Sequence, residues 1–156
     1  MPRLEDLSDT ARQGHLNFPA MEHDDAPFAP LHKPLSEARL ALVTTAGLHL
    51  RGDAPFVSGD QTYRVIPSGA PASAIIQSHT SIGFDRTAIM RDINVTFPID
   101  RLRELVDRGT VGALSERFYS FLGANRDPKR IVEETGPEVA RKLLDEGVDA
   151  VLLTPT

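Results

Sequence analysis

Apolar and polar positions divide the chain into an unpatterned beginning and a patterned remainder. Up to about residue 38 the sequence is polar and interrupted by Pro2, Pro19, Pro27, Pro30 and Pro34, and "HDDAPFAPLHKP" follows neither a helical nor a strand period. Residues 1–38 are therefore expected to form an extended arm outside any core. The pattern begins with "LALVTT", Leu40 to Thr45, a run so apolar that it predicts a central strand covered on both faces. A loop, "AGLHLRGDAPF", follows it and begins around Gly47. "TYRVIP", Thr62 to Pro67, alternates and predicts a second, short strand, and Ala74 to Gln77 begins a third.

Pro98-Ile99-Asp100 opens a helix, with Asp100 as its N-cap, Leu102, Leu105 and Val106 on one face and Gly109 closing it. A strand is expected around Phe118 to Leu122. Pro137 then sits in the first turn of a last helix, where its missing N–H costs nothing. Val139, Leu143 and Leu144 line the inner face of that helix and Gly147 ends it. Val148 to Leu153 reads as a buried strand. Strands and helices in alternation predict an α/β domain over residues 39–156. Its fold is expected to be a mainly parallel sheet flanked by helices in three layers, flavodoxin- or Rossmann-like. The two most apolar runs, 40–45 and 148–153, are expected in the interior of one parallel sheet. Their carboxyl ends would then open at one edge, where ligands of open α/β sheets sit.

Composition narrows the function classes. The 156 residues are 40% hydrophobic and 25% charged, which suits one globular domain, and the net charge of −5 supplies no basic face for nucleic acid. The sequence has no apolar run of signal-peptide or membrane-span length, so a cytoplasmic protein is expected. It contains no cysteine. Within these residues that excludes disulfides, thiol nucleophiles and thiolate metal sites. Neither a Gly-x-Gly-x-x-Gly fingerprint, a Walker loop nor a Gly-x-Ser-x-Gly elbow occurs.

Polar residues concentrate in "HTSIGFDRTAIMRDINVTFPID", which gathers His79, Asp85, Arg86, Arg91, Asp92 and Asn94 beside an expected strand end. The same residues can be read as structural ion pairs, Asp85 with Arg86 and Arg91 with Asp92. The loop after the first strand adds His49, Arg51 and Asp53. His49, His79, Asp53 and Asp85 could form a His/carboxylate metal set, although no His-x-x-x-His or comparable tight pair supports it. The tripeptide Arg51 to Asp53 is read as coincidental. The candidate substrate-binding residues are His49, Arg51, His79, Asp85, Asp92, Asn94 and Thr154, with no metal among them.

Taken together, "TTAGLHLRGDAPF", "GDQTYRVIP", "SHTSIGFDRTAIMRDINVTFPIDRLRELV", "FYSFLGA" and "EGVDAVLLTPT" resemble, in colinear order over residues 39–156, the selenoprotein B family of glycine, sarcosine, betaine and D-proline reductases. The short, proline-reductase-like members are the more similar. The resemblance implies a selenocysteine- or cysteine-dependent reductase that cleaves a C–N bond of an amine. It also implies a selenocysteine-x-x-cysteine or cysteine-x-x-cysteine motif after the strand equivalent to "VDAVLLTP". A dithiol would act as reductant, and a partner subunit would carry a pyruvoyl group. The expectation is that the reading frame meets a UGA selenocysteine codon just after Thr156, and that the chain as written is inactive. A deliberate chain boundary and a short paralogue that binds small molecules or regulates are the alternatives. Association into a homo-oligomer is also possible on this reading.

Overall fold

A computed structural model of the chain describes residues 3–17, 24, 28–81 and 86–155. It divides into two compact units, Met1–Pro30 and Leu31–Thr156. The first unit holds a 3₁₀ turn at Leu4–Asp6 and a helix, α1 (Asp9–Leu16). The hydroxyl of Ser8 caps α1 by accepting the Ala11 N–H at 3.4 Å, and Asp9 pairs with Arg12 at 2.6 Å. No α1 residue is buried. The arm therefore contains a short capped helix where an extended segment was expected.

The second unit is built on β1 (Arg39–Thr44), β2 (Leu48–Leu50), β3 (Arg64–Pro67), β4 (Ile75–Gln77), β5 (Ala113–Leu114), β6 (Arg117–Ser120) and β7 (Ala150–Thr154). Between them lie α2 (Arg86–Arg91), α3 (Ile99–Asp107) and α4 (Gly136–Asp145), the last entered through a π-helical turn at Ile131–Thr135. β7 pairs in parallel with β1 from Leu40↔Ala150 to Thr44↔Thr154. Because β7 occupies that whole side of β1, β5 and β6 share the other side, at Leu40↔Leu114 and Val43↔Tyr119. Two residues of β1 separate these two pairs, against four on the opposing chain. The surplus forms a bulge at Ser115 and Glu116, which interrupts one strand into β5 and β6.

This arrangement corrects the three-layer, mainly parallel, flavodoxin- or Rossmann-like expectation. The sheet is mixed: β3 runs antiparallel to β6, from Arg64↔Ser120 to Pro67↔Arg117, and β2 and β4 form a separate antiparallel pair. Apolar periodicity reports which face of a strand is covered and carries no information on strand direction. β1 is interior, as its composition predicts, but β7 is not. It pairs with β1 alone among the described strands, and Val151, Leu152 and Leu153 are 39%, 37% and 67% exposed. "LHL", read as loop, is β2, and α2 lies in a segment for which no helix was predicted.

The core brings together Leu42, Ile66, Phe97, Ile99, Phe118 and Tyr119, with Val139 and Leu143 from α4. Phe97 and Phe118 meet edge to face at 6.0 Å, a favoured geometry for ring quadrupoles. The predicted N-cap at Asp100 is also corrected. α3 begins at Ile99, so Asp100 lies in its first turn, and its backbone N–H is satisfied by Asn94 Oδ1 at 2.9 Å. Glu146 sits under the bulge. It accepts from the Ser115 hydroxyl and, at 2.5 Å, from Arg117 Nε.

Glu146 gives the fold a pH dependence. Burial opposes ionisation of its carboxyl, but the hydrogen bonds from Ser115 and Arg117 and the Arg117 charge outweigh it, so the folded-state value lies below the ordinary glutamate range. A depressed value means stability that is present above the unfolded value of about 4.3 and lost as pH falls through the folded one. Glu146→Gln is expected to cost about 1.5–3 kcal/mol at neutral pH. The deficit relative to wild type should shrink as pH falls below about 4.3, measured by urea denaturation across that range. An unchanged deficit at acid pH would mean that the carboxylate charge contributes nothing.

Candidate functional site

The carboxyl ends of β1 and β7 lie side by side, and a short hydrogen-bond ladder ties them. Thr45 N–H donates to the Thr154 carbonyl at 3.3 Å, and the Thr44 hydroxyl donates to the same oxygen at 3.0 Å while accepting the Ala46 N–H at 3.2 Å. The Thr154 hydroxyl is buried and makes no hydrogen bond among the described residues. A buried hydroxyl left in that state costs free energy.

Gly47 turns the chain from β1 into β2 with φ of +65°, a conformation that glycine adopts without steric cost. A Cβ on it would lie 3.2 Å from the His79 backbone and from Leu122 Cδ1. The turn is held by Gly47 N–H donating to Phe121 O and Ser78 N–H donating to Gly47 O, each at 2.9 Å, and by Gln77 Nε2 donating to Ala46 O at 3.0 Å. These bonds bring the end of β4, and His79 after it, against the end of β1. His79 is 2% exposed. Its Nδ1 accepts the Ser81 N–H at 3.1 Å, and Arg86 donates to its carbonyl oxygen. Burial, and secondarily the Arg86 cation, push the imidazole below its ordinary value, which favours the neutral ring.

The other candidates are distributed differently. His49 is buried in β2, where its Nδ1 donates to Leu50 O at 2.9 Å; its Nε2 has no hydrogen-bond partner among the described residues. Arg51 and Asp53 are exposed at the far end of β2 from Gly47, in a turn closed by Asp53 N–H donating to Leu50 O. Asp92 and Asn94 belong to the support of α3. Asp92 accepts from the Asn94 N–H and side-chain amide at 2.9 and 2.8 Å. Asn94 in turn donates to Asp100 at 3.1 Å, and Arg103 bonds both Asp100 and the carbonyls of Ser68 and Ala70. Asp85 lies outside the described residues. The structure thus places His79 against the Gly47 turn and Thr154 beside Thr44 and Thr45, and holds Asp92 and Asn94 in a helix-supporting network. Among the described residues, no group of three or more His, Cys, Asp or Glu side chains could hold a metal ion.

The block "GDQTYR" has a structural role that residue type alone did not reveal. Asp60 accepts from the Thr62 backbone and hydroxyl at 2.8 and 2.6 Å and from Arg64 at 3.1 Å, and the Arg64 guanidinium lies 4.3 Å from the Phe56 ring centre. Gln61 accepts the Thr135 hydroxyl and the Arg130 N–H, tethering the entry to α4. Tyr63 completes the set by donating to Glu138 at 2.7 Å and accepting from Lys142 at 2.5 Å.

A sequence model of the family described as glycine/sarcosine/betaine reductase selenoprotein B matches residues 4–156. The chain belongs to this family. It is 44% identical over 128 residues to the D-proline reductase subunit gamma of Acetoanaerobium sticklandii, a match covering 81% of this chain and 52% of that protein. It is 30% identical over 143 residues both to the sarcosine reductase complex component B subunit beta of Peptoclostridium acidaminophilum and to a glycine reductase complex component B subunit gamma of Symbiobacterium thermophilum. Each of these matches covers 89% of this chain and 33% of the relative. The chain thus spans about half the length of the first relative and a third of the other two. No solved structure matches it. None of its helices, among the described residues, is long and apolar enough to cross a membrane. Family membership confirms the resemblance read from the quoted blocks and relates the chain to reductase components; the 156 residues themselves contain no cysteine.

Proposed function

We propose that this chain is a substrate-side portion of a component-B-type reductase subunit. With a selenocysteine or cysteine supplied from beyond these residues, it takes part in the reductive cleavage of a C–N bond in glycine, betaine, sarcosine, D-proline or a related amine. The family match over residues 4–156 carries this reading. The β1–β7 edge supports it, because the buried Thr154 hydroxyl, without a hydrogen bond among the described residues, lies at the strand end where the family resemblance expects the redox motif. A selenolate or thiolate supplies the nucleophile in such chemistry, and a dithiol returns it to the reduced state.

The chain's own residues would bind and orient. Thr154 would hydrogen-bond the incoming group, and neutral, buried His79 would help exclude water and present a fixed dipole. His49, Arg51, Asp85, Asp92 and Asn94 remain proposed contributors to substrate binding. A pyruvoyl-bearing partner subunit would activate the amine. The alternative reading is a non-catalytic paralogue that binds small molecules or regulates.

One comparison separates the two readings. The 156-residue chain and a version continued past Thr156 with selenocysteine or cysteine are each mixed with a pyruvoyl-bearing partner, a dithiol and the candidate amines, and amine-dependent dithiol oxidation is followed. The continued chain is expected to turn over and the 156-residue chain to show none. Turnover by the 156-residue chain would refute the proposed chemistry, and failure of the continued chain on every amine would favour the non-catalytic reading.

A further inference from the structure

A cleft of about 560 Å³ lies between the β2–β4 pair and α2, within the roughly 300–1,000 Å³ range of small-molecule sites. Its walls are mainly aliphatic: Leu48, Ile75 and Ile76 from the strands, Ile89 from α2 and Ile93 just beyond it. Among the described residues Arg86 and Arg91 are the charged members of the lining, which Gln77 and Met90 also join. Arg86 is committed to the His79 carbonyl. Arg91 makes no ion pair or side-chain hydrogen bond among the described residues, and the adjacent carboxylate, Asp92, is taken up by Asn94 instead.

We propose that this cleft binds an amphiphilic carboxylate, with the acidic group on Arg91 and the aliphatic body along the isoleucine wall. The proposal does not depend on the reductase reading. An apolar cleft with one uncommitted guanidinium at its rim rewards a ligand that satisfies both features. A neutral alcohol would leave the charge unpaired, and a short polar acid would leave the aliphatic wall wet. A single free guanidinium also matches one negative charge better than the two of a phosphate monoester. The cleft volume suits a body of several carbons more than a two-carbon amino acid. Gln77, which lines the cleft, is bonded to Ala46 O at the β1 edge. Occupancy would therefore be felt at the Gly47 turn.

Titration calorimetry of the 156-residue chain with octanoate, 1-octanol and acetate tests the proposal, with backbone amide shifts locating the contact. Octanoate is expected to bind saturably and at least about tenfold more tightly than either comparison ligand, a difference of about 1.4 kcal/mol. Shifts should centre on Leu48, Ile76 and Ile93. Arg91→Gln should weaken octanoate about tenfold, whereas Arg108→Gln, an exposed change on another helix end, should leave it unchanged. Absence of saturable octanoate binding, equal affinity for octanol, shifts confined elsewhere, or an unaffected Arg91→Gln would each overturn the proposal. The ligand comparison uses the unaltered chain, so it holds even if a variant folds poorly.

Discussion

Gly47→Ala is expected to destabilise the protein by about 2–5 kcal/mol, measured as a lowered urea midpoint at unchanged slope. Two costs combine. A Cβ at φ of +65° meets the left-handed penalty of roughly 1–2 kcal/mol, and it would also press to 3.2 Å on the His79 backbone and Leu122, adding overpacking of about 1–3 kcal/mol. Gly59 separates the two. Its φ is +75°, but a Cβ there meets nothing within 4 Å, so Gly59→Ala should cost only the backbone penalty of about 1–2 kcal/mol. Equal losses at the two glycines would show that the close approach of the β1–β2 turn to His79 contributes nothing. If the larger loss is found at Gly47, the same packing that stabilises the domain also positions His79 against the candidate edge.

Phe118→Ala should be more severe still, at about 3–5 kcal/mol. Phe118 is fully buried on β6, the strand hydrogen-bonded to β1 on one side and β3 on the other, and its ring meets Phe97 edge to face. Removing it would leave a cavity against Phe97 on the face of a strand that pairs on both sides, where the backbone has little freedom to collapse. Phe28→Ala is the control: that ring is 86% exposed in the first unit, and its loss should change stability by no more than about 0.5 kcal/mol. A Phe118→Ala cost near that of Phe28→Ala would mean that the β1–β6–β3 core is not the centre of cooperative stability.

The sequence alone determined the interior strand at Leu40–Thr45, the short strand ending at Pro67, the two helices closed near Gly109 and Gly147, and the strand before the chain's last residues. Each carries its own period or its own stop signal, and such signals are local. The family, too, was legible, because its blocks are contiguous stretches of residues. Only the tertiary structure decided strand direction at β3, the pairing of β2 with β4, and the exposed position of β7. Three residues such as "LHL" are too few to show a period, and an apolar run reads the same whether or not a neighbour covers it. The site divides along the same line. His79 is held against the Gly47 turn and Thr154 against Thr44 and Thr45, contacts between residues far apart in sequence. Asp92 and Asn94, equally polar and equally dense in the same block, became supports for α3, because their side chains met the unpaired N–H of Asp100 and the Arg103 network. Residue type limits the bonds a side chain can make, and only the fold decides which partners are within reach.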